Sequence, residues 1–393
     1  MDNDRWLLPE GIEEILPPRA EQLDATLRRL LDLFKSWGYE LVMPPFIEYL
    51  ESLLTGTGND IDLQTFKLTD QLTGRLMGLR ADMTPQVARI DAHCLKRDVP
   101  TRLCYMGTVL KTLPATHGGN RSPMQVGVEL YGHAGVESDV EVLRLMVKTL
   151  HSAGIEHVYL DLGHVGIFRG LAQQANLDSE CEARLFDALQ RKAKPEIATL
   201  LAERALPDSL HKMLNSLADL HGDESVLDRA ASVLAEADAS VTAALDNLRQ
   251  IAASIRGLDG ISLHFDLAEL RGYHYHTGAV FAAFVPGQGQ AIAQGGRYDD
   301  IGKVFGRARP ATGFSTDLKN VLSLVAAKTP EVRGIFAPCE DDVALAVCID
   351  ALREAGERVI QALPGQQGGA VEMGCDRELV LQQGSWQPVA VKK

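Results

Sequence analysis

One stretch constrains this chain more than any other. The residues Glu269-Leu270-Arg271-Gly272-Tyr273-His274-Tyr275-His276-Thr277-Gly278 stand between an apolar approach, Ile261 to Leu267, and an apolar exit, Ala279 to Phe284. An arginine, two tyrosines and two histidines inside a strand-like run need partners if they are buried. Gly272 and Gly278 have no Cβ, so backbone or ligand can come close there. Read as extended, the run puts Arg271, Tyr273 and Tyr275 on one face and His274 and His276 on the other. The first face offers a guanidinium fork for a carboxylate and phenols that stack and hydrogen-bond. The plain alternative is a half-buried strand with aromatic packing and a surface arginine, and this stretch alone favours it.

The frame around that stretch is large. A chain of 393 residues has room for roughly two or three domains of about 150 residues. Its net charge of −14 argues against a broad basic surface, hence against nucleic acid or an anionic membrane as partner. The six cysteines are scattered, with no C-x-x-C pair, which fits reduced thiols in the cytosol. Met1 to Leu8 is charged and carries no apolar core of a signal peptide.

Periodicity places the elements. Leu23, Leu27, Leu30, Leu31 and Phe34 predict a helix that stops at Gly38, and Tyr39 to Met43 reads as a short strand. Phe66 to Leu68 and Arg75 to Leu79 predict a hairpin. Thr84, as N-cap, and Pro85 open a helix. Thr101 to Leu110 and Gln125 to Tyr131 predict strands joined by a mobile hairpin loop, Lys111 to Pro123. Ser138 and Glu141 predict a capping box for a helix with an apolar stripe at Val140, Leu143, Val147 and Leu150. From about 168 to 255 alanine and leucine dominate, which predicts a helical insertion whose last stripe is Val241, Leu245, Leu248, Ile251 and Ile255. Gly295 to Asp299 reads as a tight turn and Thr316 to Ala327 as a helix. Thr329-Pro330 is the linker candidate, and beyond it Val343 to Ala346, Asp350 to Ala355 and Val359 to Ala362 read as β-α-β. The sum is an α+β design: a mostly antiparallel sheet flanked by helices. The domains expected are 1–328, with the insertion, and a small α/β domain at 329–393.

Three places could carry chemistry. Strand alternation puts Gln125 and Glu129 on one face with Gly127 between them, a polar notch in an apolar sheet. Asp82 stands before the helix at Thr84, where it could assist the helix N-terminus or hold a ligand ammonium. His274 and His276, with His264, form a weak metal half-site. No phosphate-binding glycine loop opens a helix, and no cofactor is expected.

Together these stretches resemble histidyl-tRNA synthetase, a class II synthetase. The resemblance runs in order over roughly residues 10 to 325. It is carried by Leu79-Arg80-Ala81-Asp82-Met83-Thr84-Pro85, Gln125 to Gly132, Leu270-Arg271-Gly272 through Phe281, and Gly295-Gly296-Arg297-Tyr298-Asp299. It implies the class II antiparallel sheet, dimeric through the region of Tyr39 to Pro45. The departures fall on the nucleotide side. Where the family grips ATP with arginine followed by His-Glu-Arg, this chain reads Lys111-Thr112-Leu113-Pro114, and lysine cannot reproduce a bidentate fork. Where the family has Gly-x-Glu-Arg, it reads Asp317-Leu318-Lys319-Asn320. The amino-acid side keeps Gln125, Glu129, Arg271 and Tyr275, while Asp82 replaces a glutamate and His276 the second tyrosine. The tail after Pro330 is short and not basic.

This combination resembles the regulatory subunit family of ATP phosphoribosyltransferase, the synthetase-like proteins of histidine biosynthesis. The resemblance implies a non-catalytic, cytoplasmic subunit that assembles with the short catalytic subunit and is linked to feedback by histidine. It also implies a histidine site: Arg271 for the carboxylate, Asp82, Gln125 and Thr84 for the ammonium, and Glu129, Tyr275 and His276 around the imidazole. The alternatives are an active histidine ligase that uses Lys111, and a plain scaffold with a vestigial pocket.

Overall fold

The computed structural model describes residues 6–55, 59–114, 119–270, 272–273, 275–325 and 334–391. The chain divides into two units, Met1–Val325 and Ala326–Lys393. Thr329 and Pro330 lie outside the described residues.

The first unit opens with helix α1 (Arg19–Ser36), then strands β1 (Glu40–Val42) and β2 (Ile47–Tyr49). Short helices α2 (Leu50–Leu53) and α3 (Asn59–Gln64) lead to the hairpin of β3 (Lys67–Thr69) and β4 (Leu76–Leu79). Helix α4 (Thr84–Arg89), extended by a π-helical turn over Ile90–Leu95, precedes β5 (Thr101–Thr108) and β6 (Met124–Tyr131). Next come α5 (Val136–Ser152) and β7 (Val158–His164). A helical segment follows: α6 (Val165–Gln174), α7 (Ser179–Gln190), α8 (Lys194–Ala202), α9 (Asp208–Ser216), the two-residue strand β8 (His221–Gly222), α10 (Ser225–Val233) and α11 (Ala239–Ile255). Strands β9 (Ile261–Asp266), β10 (Ala279–Phe284), β11 (Ala293–Arg297) and β12 (Ala311–Asp317), then helix α12 (Leu318–Leu324), complete the unit.

The central sheet has the order β1-β5-β6-β12-β11-β10-β7-β9-β8. Pairing is antiparallel from β5 through β7, and parallel only at β1/β5 and β7/β9. Alternation along β6 divides its two faces. Val126, Val128 and Leu130 enter the main core with the stripe of α5, with Leu30 and Phe34 of α1, and with Val241, Leu245, Leu248, Ile251 and Ile255 of α11. These helical stripes are buried as their spacing predicts. The opposite face carries a smaller core of Met83, Val87, Leu103, Tyr105, Tyr131 and Tyr298, and it is this face that holds the polar groups described below.

Five local expectations are corrected. Ser138 does not cap α5, because the helix starts two residues earlier with Gly135 at the N-cap. Its hydroxyl donates instead to the carbonyls of His133 and Gly135, and Glu141 takes a bidentate bond from Arg102. Thr84 is the first residue of α4 and not its cap. Gly295 to Arg297 is strand, not turn, since β11 is paired on both sides. Thr316 stays in β12, which pairs with β6 as far as Asp317, so the helix begins only at Leu318. In the second unit Val343 starts a helix, α13 (Val343–Glu354), and the preceding strand is β13 (Ile335–Ala337). With β14 (Val359–Gln361), β15 (Arg377–Gln382) and β16 (Ser385–Ala390) it forms a sheet of order β14-β13-β15-β16.

One buried charge ties the first unit together. Arg297, at the end of β11, reaches α5: Nε donates to Asp139 Oδ2 at 3.1 Å and Nη2 to Ser138 Oγ at 2.8 Å. Nη1 and Nη2 also donate to the carbonyls of His133 and Gly135. Arg297→Met strands these acceptors. It should lower unfolding stability by about 3–5 kcal/mol, measured as a reduced urea midpoint at unchanged m value. Asp139→Asn should be destabilising too, and the double variant should lose much less than the sum of the two.

Candidate functional site

The site is built where β5, β6 and β12 face the start of α4. Cross-strand register places Gly127 of β6 opposite Tyr105 of β5 and Glu129 opposite Gly313 of β12. Both glycines are steric requirements. A Cβ at Gly127 would lie 2.5 Å from the Tyr105 ring, and one at Gly313 would lie 1.6 Å from the Glu129 carboxylate. The notch expected at Gly127 is therefore filled by a phenol from the next strand. That phenol donates to Glu129 Oε1 at 2.9 Å, and Tyr298 Oη donates to Oε2. Burial pushes the Glu129 carboxyl up to about 8, against the pull of both phenols.

A second set of bonds runs on from Tyr105. Its Oη is 3.1 Å from Thr84 Oγ1. The Thr84 amide donates to Asp82 Oδ1 at 3.2 Å, and Gln125 Nε2 donates to the same oxygen at 2.7 Å. Gln125 Oε1 accepts from the Met83 amide at 3.0 Å, which fixes the carboxamide's orientation. Asp82 thus serves the helix start and Gln125 together. Among the described residues Oδ2 has no such bond.

The described residues from Leu270 to Gly278 do not form a strand. It turns at Gly272, whose φ is +63°, and the amides of Tyr275 and His276 both donate to the Gly272 carbonyl at 2.7 Å. The strand-like alternation therefore fails. Tyr273 packs away from the sheet against Phe168 and Phe186, while Tyr275 stacks on Tyr298 with ring centroids 5.0 Å apart. Among the described residues the buried Tyr275 hydroxyl has no hydrogen-bond partner. His276 is half-buried beside both rings, and desolvation lowers its imidazole to about 4, so it is neutral near pH 7. Its Nδ1 lies 3.3 Å from the Arg297 carbonyl and so carries the proton. Arg271 and His274 lie outside the described residues. Among those described, no cluster of three histidine, cysteine or acidic side chains could hold a metal. His264 instead bonds Asp161 at 2.9 Å.

Tyr105 and Tyr298 complete the site without having been singled out for it. The signal for Tyr105 was the glycine at the centre of β6, which needs bulk from a neighbouring strand. His164, which caps α6 by accepting from the Gly166 amide, was also missed. Burial lowers its imidazole to about 4, as an acceptor nitrogen requires.

The nucleotide side suggested by the resemblance is filled. Asp317 Oδ1 accepts from the amides of Met124 and Lys319 at 3.0 and 3.1 Å. Lys319 is buried, with Nζ 3.2 Å from Ser122 Oγ and 3.9 Å from Glu13. The N-terminal arm crosses the loop between β5 and β6: the Arg121 amide donates to the Gly11 carbonyl, and its Nη1 to that of Glu10. Leu113 is exposed, and residues 115–118 of that loop lie outside the described residues. The amino-acid side therefore presents a connected set of hydrogen-bonding groups, while on the nucleotide side Asp317 and Lys319 are engaged by the chain itself.

The shifted Glu129 makes a pH test. Its carboxyl is about 8 when folded against an ordinary 4.5, so the native state keeps a proton that the unfolded chain releases. That stabilisation is full below the ordinary value and is lost as pH rises through the folded one. Melting temperatures of wild type and Glu129→Gln, compared from about pH 5 to about pH 8, should shift steadily against the wild type. A constant difference would show that this carboxyl does not titrate there.

Comparisons with known proteins agree with the geometry. The histidyl-tRNA synthetase family model matches residues 11–321, and that of the ATP phosphoribosyltransferase subunit HisZ C-terminal domain matches 332–389. The ATP phosphoribosyltransferase regulatory subunit of Thioalkalivibrio sulfidiphilus is 63% identical over 382 residues, 96% of each chain. That of Nitrosococcus oceani is 56% identical over 391 residues, 99% of this chain and 98% of its own. A Bacillus halodurans structure, described as an ATP phosphoribosyltransferase regulatory subunit/histidyl-tRNA synthetase, superposes with a TM-score of 0.82 at 27% identity, covering 92% of this chain and 94% of that one. Histidyl-tRNA synthetase from a Nostoc species shares the fold, with a TM-score of 0.78 at 19% identity over 98% of this chain and 97% of its own. The chain belongs to the ATP phosphoribosyltransferase regulatory subunit family, built on the class II fold of histidyl-tRNA synthetase.

Proposed function

We propose that this chain binds free histidine in the former aminoacylation site and passes its presence to a short-form catalytic ATP phosphoribosyltransferase subunit in a cytoplasmic hetero-oligomer. The observation that carries the histidine reading is the division of the site. The amino-acid side is a connected network from Asp82 to Glu129, and among the described residues the buried Tyr275 hydroxyl beside it has no partner. On the nucleotide side, Asp317 and Lys319 are engaged by the chain itself. In this reading Asp82, Gln125 and Thr84 receive the ammonium, Glu129, Tyr275 and His276 surround the imidazole, and Arg271 pairs with the carboxylate.

The reading excludes ligase activity for a physical reason. Lys111 and Asn320, which stand where the family has arginines, cannot supply the bidentate forks that hold a triphosphate. Pyrophosphate exchange with histidine and ATP should therefore stay at background. Calorimetry should record histidine binding, and Tyr275→Phe should weaken it by about 1 kcal/mol, roughly five-fold, as one buried hydrogen bond is lost. No heat with histidine, or robust exchange, would overturn the proposal.

A homodimer is part of the same reading. Leu41, Met43, Phe46 and Ile47, on and next to the edge strand β1, are exposed large hydrophobics. Exposed apolar patches at a sheet edge mark association sites. Light scattering should report a dimer at micromolar concentration, and a monomer would remove this part of the proposal.

A further inference from the structure

The loop that brings Tyr275 and His276 to the pocket is held from behind. Among the described residues, Tyr273 donates to the Leu270 carbonyl at 2.9 Å, and the amides of Tyr275 and His276 share the Gly272 carbonyl. A turn draws much of its order from what it packs against. The packing comes from two helices of the segment that follows β7. The Tyr273 ring lies between Phe168 of α6 and Phe186 of α7, with centroids 5.4 and 5.2 Å away. Its hydroxyl donates to the Glu182 carboxylate of α7. Arg169 of α6 covers the ring at 4.9 Å and donates from Nη2 to the carbonyls of Tyr273 and His276, at 2.9 and 3.1 Å.

Helix α7 is anchored a second time. Lys192, two residues beyond its end, pairs with the Asp266 carboxylate at 2.7 Å. Asp266 ends β9 and orders the turn before the loop, since its Oδ1 accepts from the Ala268 amide at 3.0 Å. One end of α7 therefore grips the chain before the loop and the other grips the loop itself.

We propose that Arg169, Tyr273 and Glu182 are positioning residues of this loop, and that they couple the order of the loop to that of α7, so that occupancy of the site is carried into the helical segment. The second half rests on the reading that the pocket takes histidine; the first does not. Coupling of this kind needs an element that both sites bias, and α7 is fastened both to the chain before the loop and to the loop itself.

Hydrogen exchange on the ligand-free chain tests the clamp. Tyr273→Phe keeps the ring between its aromatic neighbours and removes only the bond to Glu182. Exchange should accelerate about ten-fold, the equivalent of a charge-assisted hydrogen bond, in residues 272–277 and in α7 together, with β5, β6 and β12 unchanged. Glu182→Ala should reproduce this from the other side. Glu182→Gln, whose amide oxygen still accepts from the phenol, should restore most of the protection. Calorimetry with histidine should show Tyr273→Phe weakened by about the same ten-fold at nearly unchanged melting temperature, and Glu182→Gln close to wild type. If the wild type binds histidine and Tyr273→Phe neither loosens the loop nor weakens binding, the clamp is overturned. Loosening of the loop without α7 overturns the coupled unit. If the wild type takes no histidine while loop and α7 still loosen together, the clamp stands and the histidine reading falls.

Discussion

The site depends on a charge it does not contain. The Arg297 guanidinium sits on the helix side of the sheet, buried among Asp139, Ser138 and two carbonyls of the turn before α5. Its backbone carbonyl accepts from the Thr277 amide at 2.7 Å and from His276 Nδ1, which closes the loop behind Tyr275. The next residue, Tyr298, crosses to the other face to hold Glu129 and to stack on Tyr275. A buried guanidinium tolerates few arrangements, because each donor left unpaired is costly. That intolerance gives the loop after Leu270 and the strand carrying Glu129 one relative placement.

The groups of the proposed site are held by one another. Gln125 is fixed at both ends of its carboxamide, Asp82 is fixed at one oxygen, and Glu129 is held by two phenols. Such preorganisation favours affinity, since little side-chain freedom is left to lose on binding. The same economy explains the glycines. Gly127 and Gly313 leave room for the groups of the adjacent strand, and any side chain at 313 would evict the carboxyl of Glu129.

Much of this was legible in the sequence, for a definite reason. Periodicity records burial, so the stripes of α5 and α11 and the two faces of β6 were readable, as was the meeting of Gln125 with Glu129 on one face. The misreadings share a different cause. Ser138 looks like a cap, but its hydroxyl is taken by neighbouring carbonyls and by Arg297, far away in sequence. Thr316 looks helical, yet register with β6 keeps it in a strand. Gly272 permits a turn that alternation cannot foresee, and it sends Tyr273 and Tyr275 in opposite directions. Tyr105 reaches Glu129 only through non-local strand pairing, which leaves no mark on local sequence. Propensity and pattern yield wherever a tertiary partner decides.

The parallel pairing of β7 with β9 has a kinetic side. Parallel neighbours need a crossover, and here it is the whole helical segment from α6 to α11. Contacts across so long a loop form slowly, because chain entropy must be overcome before they reward it. The loop carrying Tyr275 and His276 comes after β9, so this side of the proposed site is in place only when that excursion has been completed. A chain emerging from synthesis can have its β5–β6 hairpin and α5 in place and still lack a site. In the proposed reading, competence to bind certifies finished folding, because the site is whole only once the two ends of that detour have met.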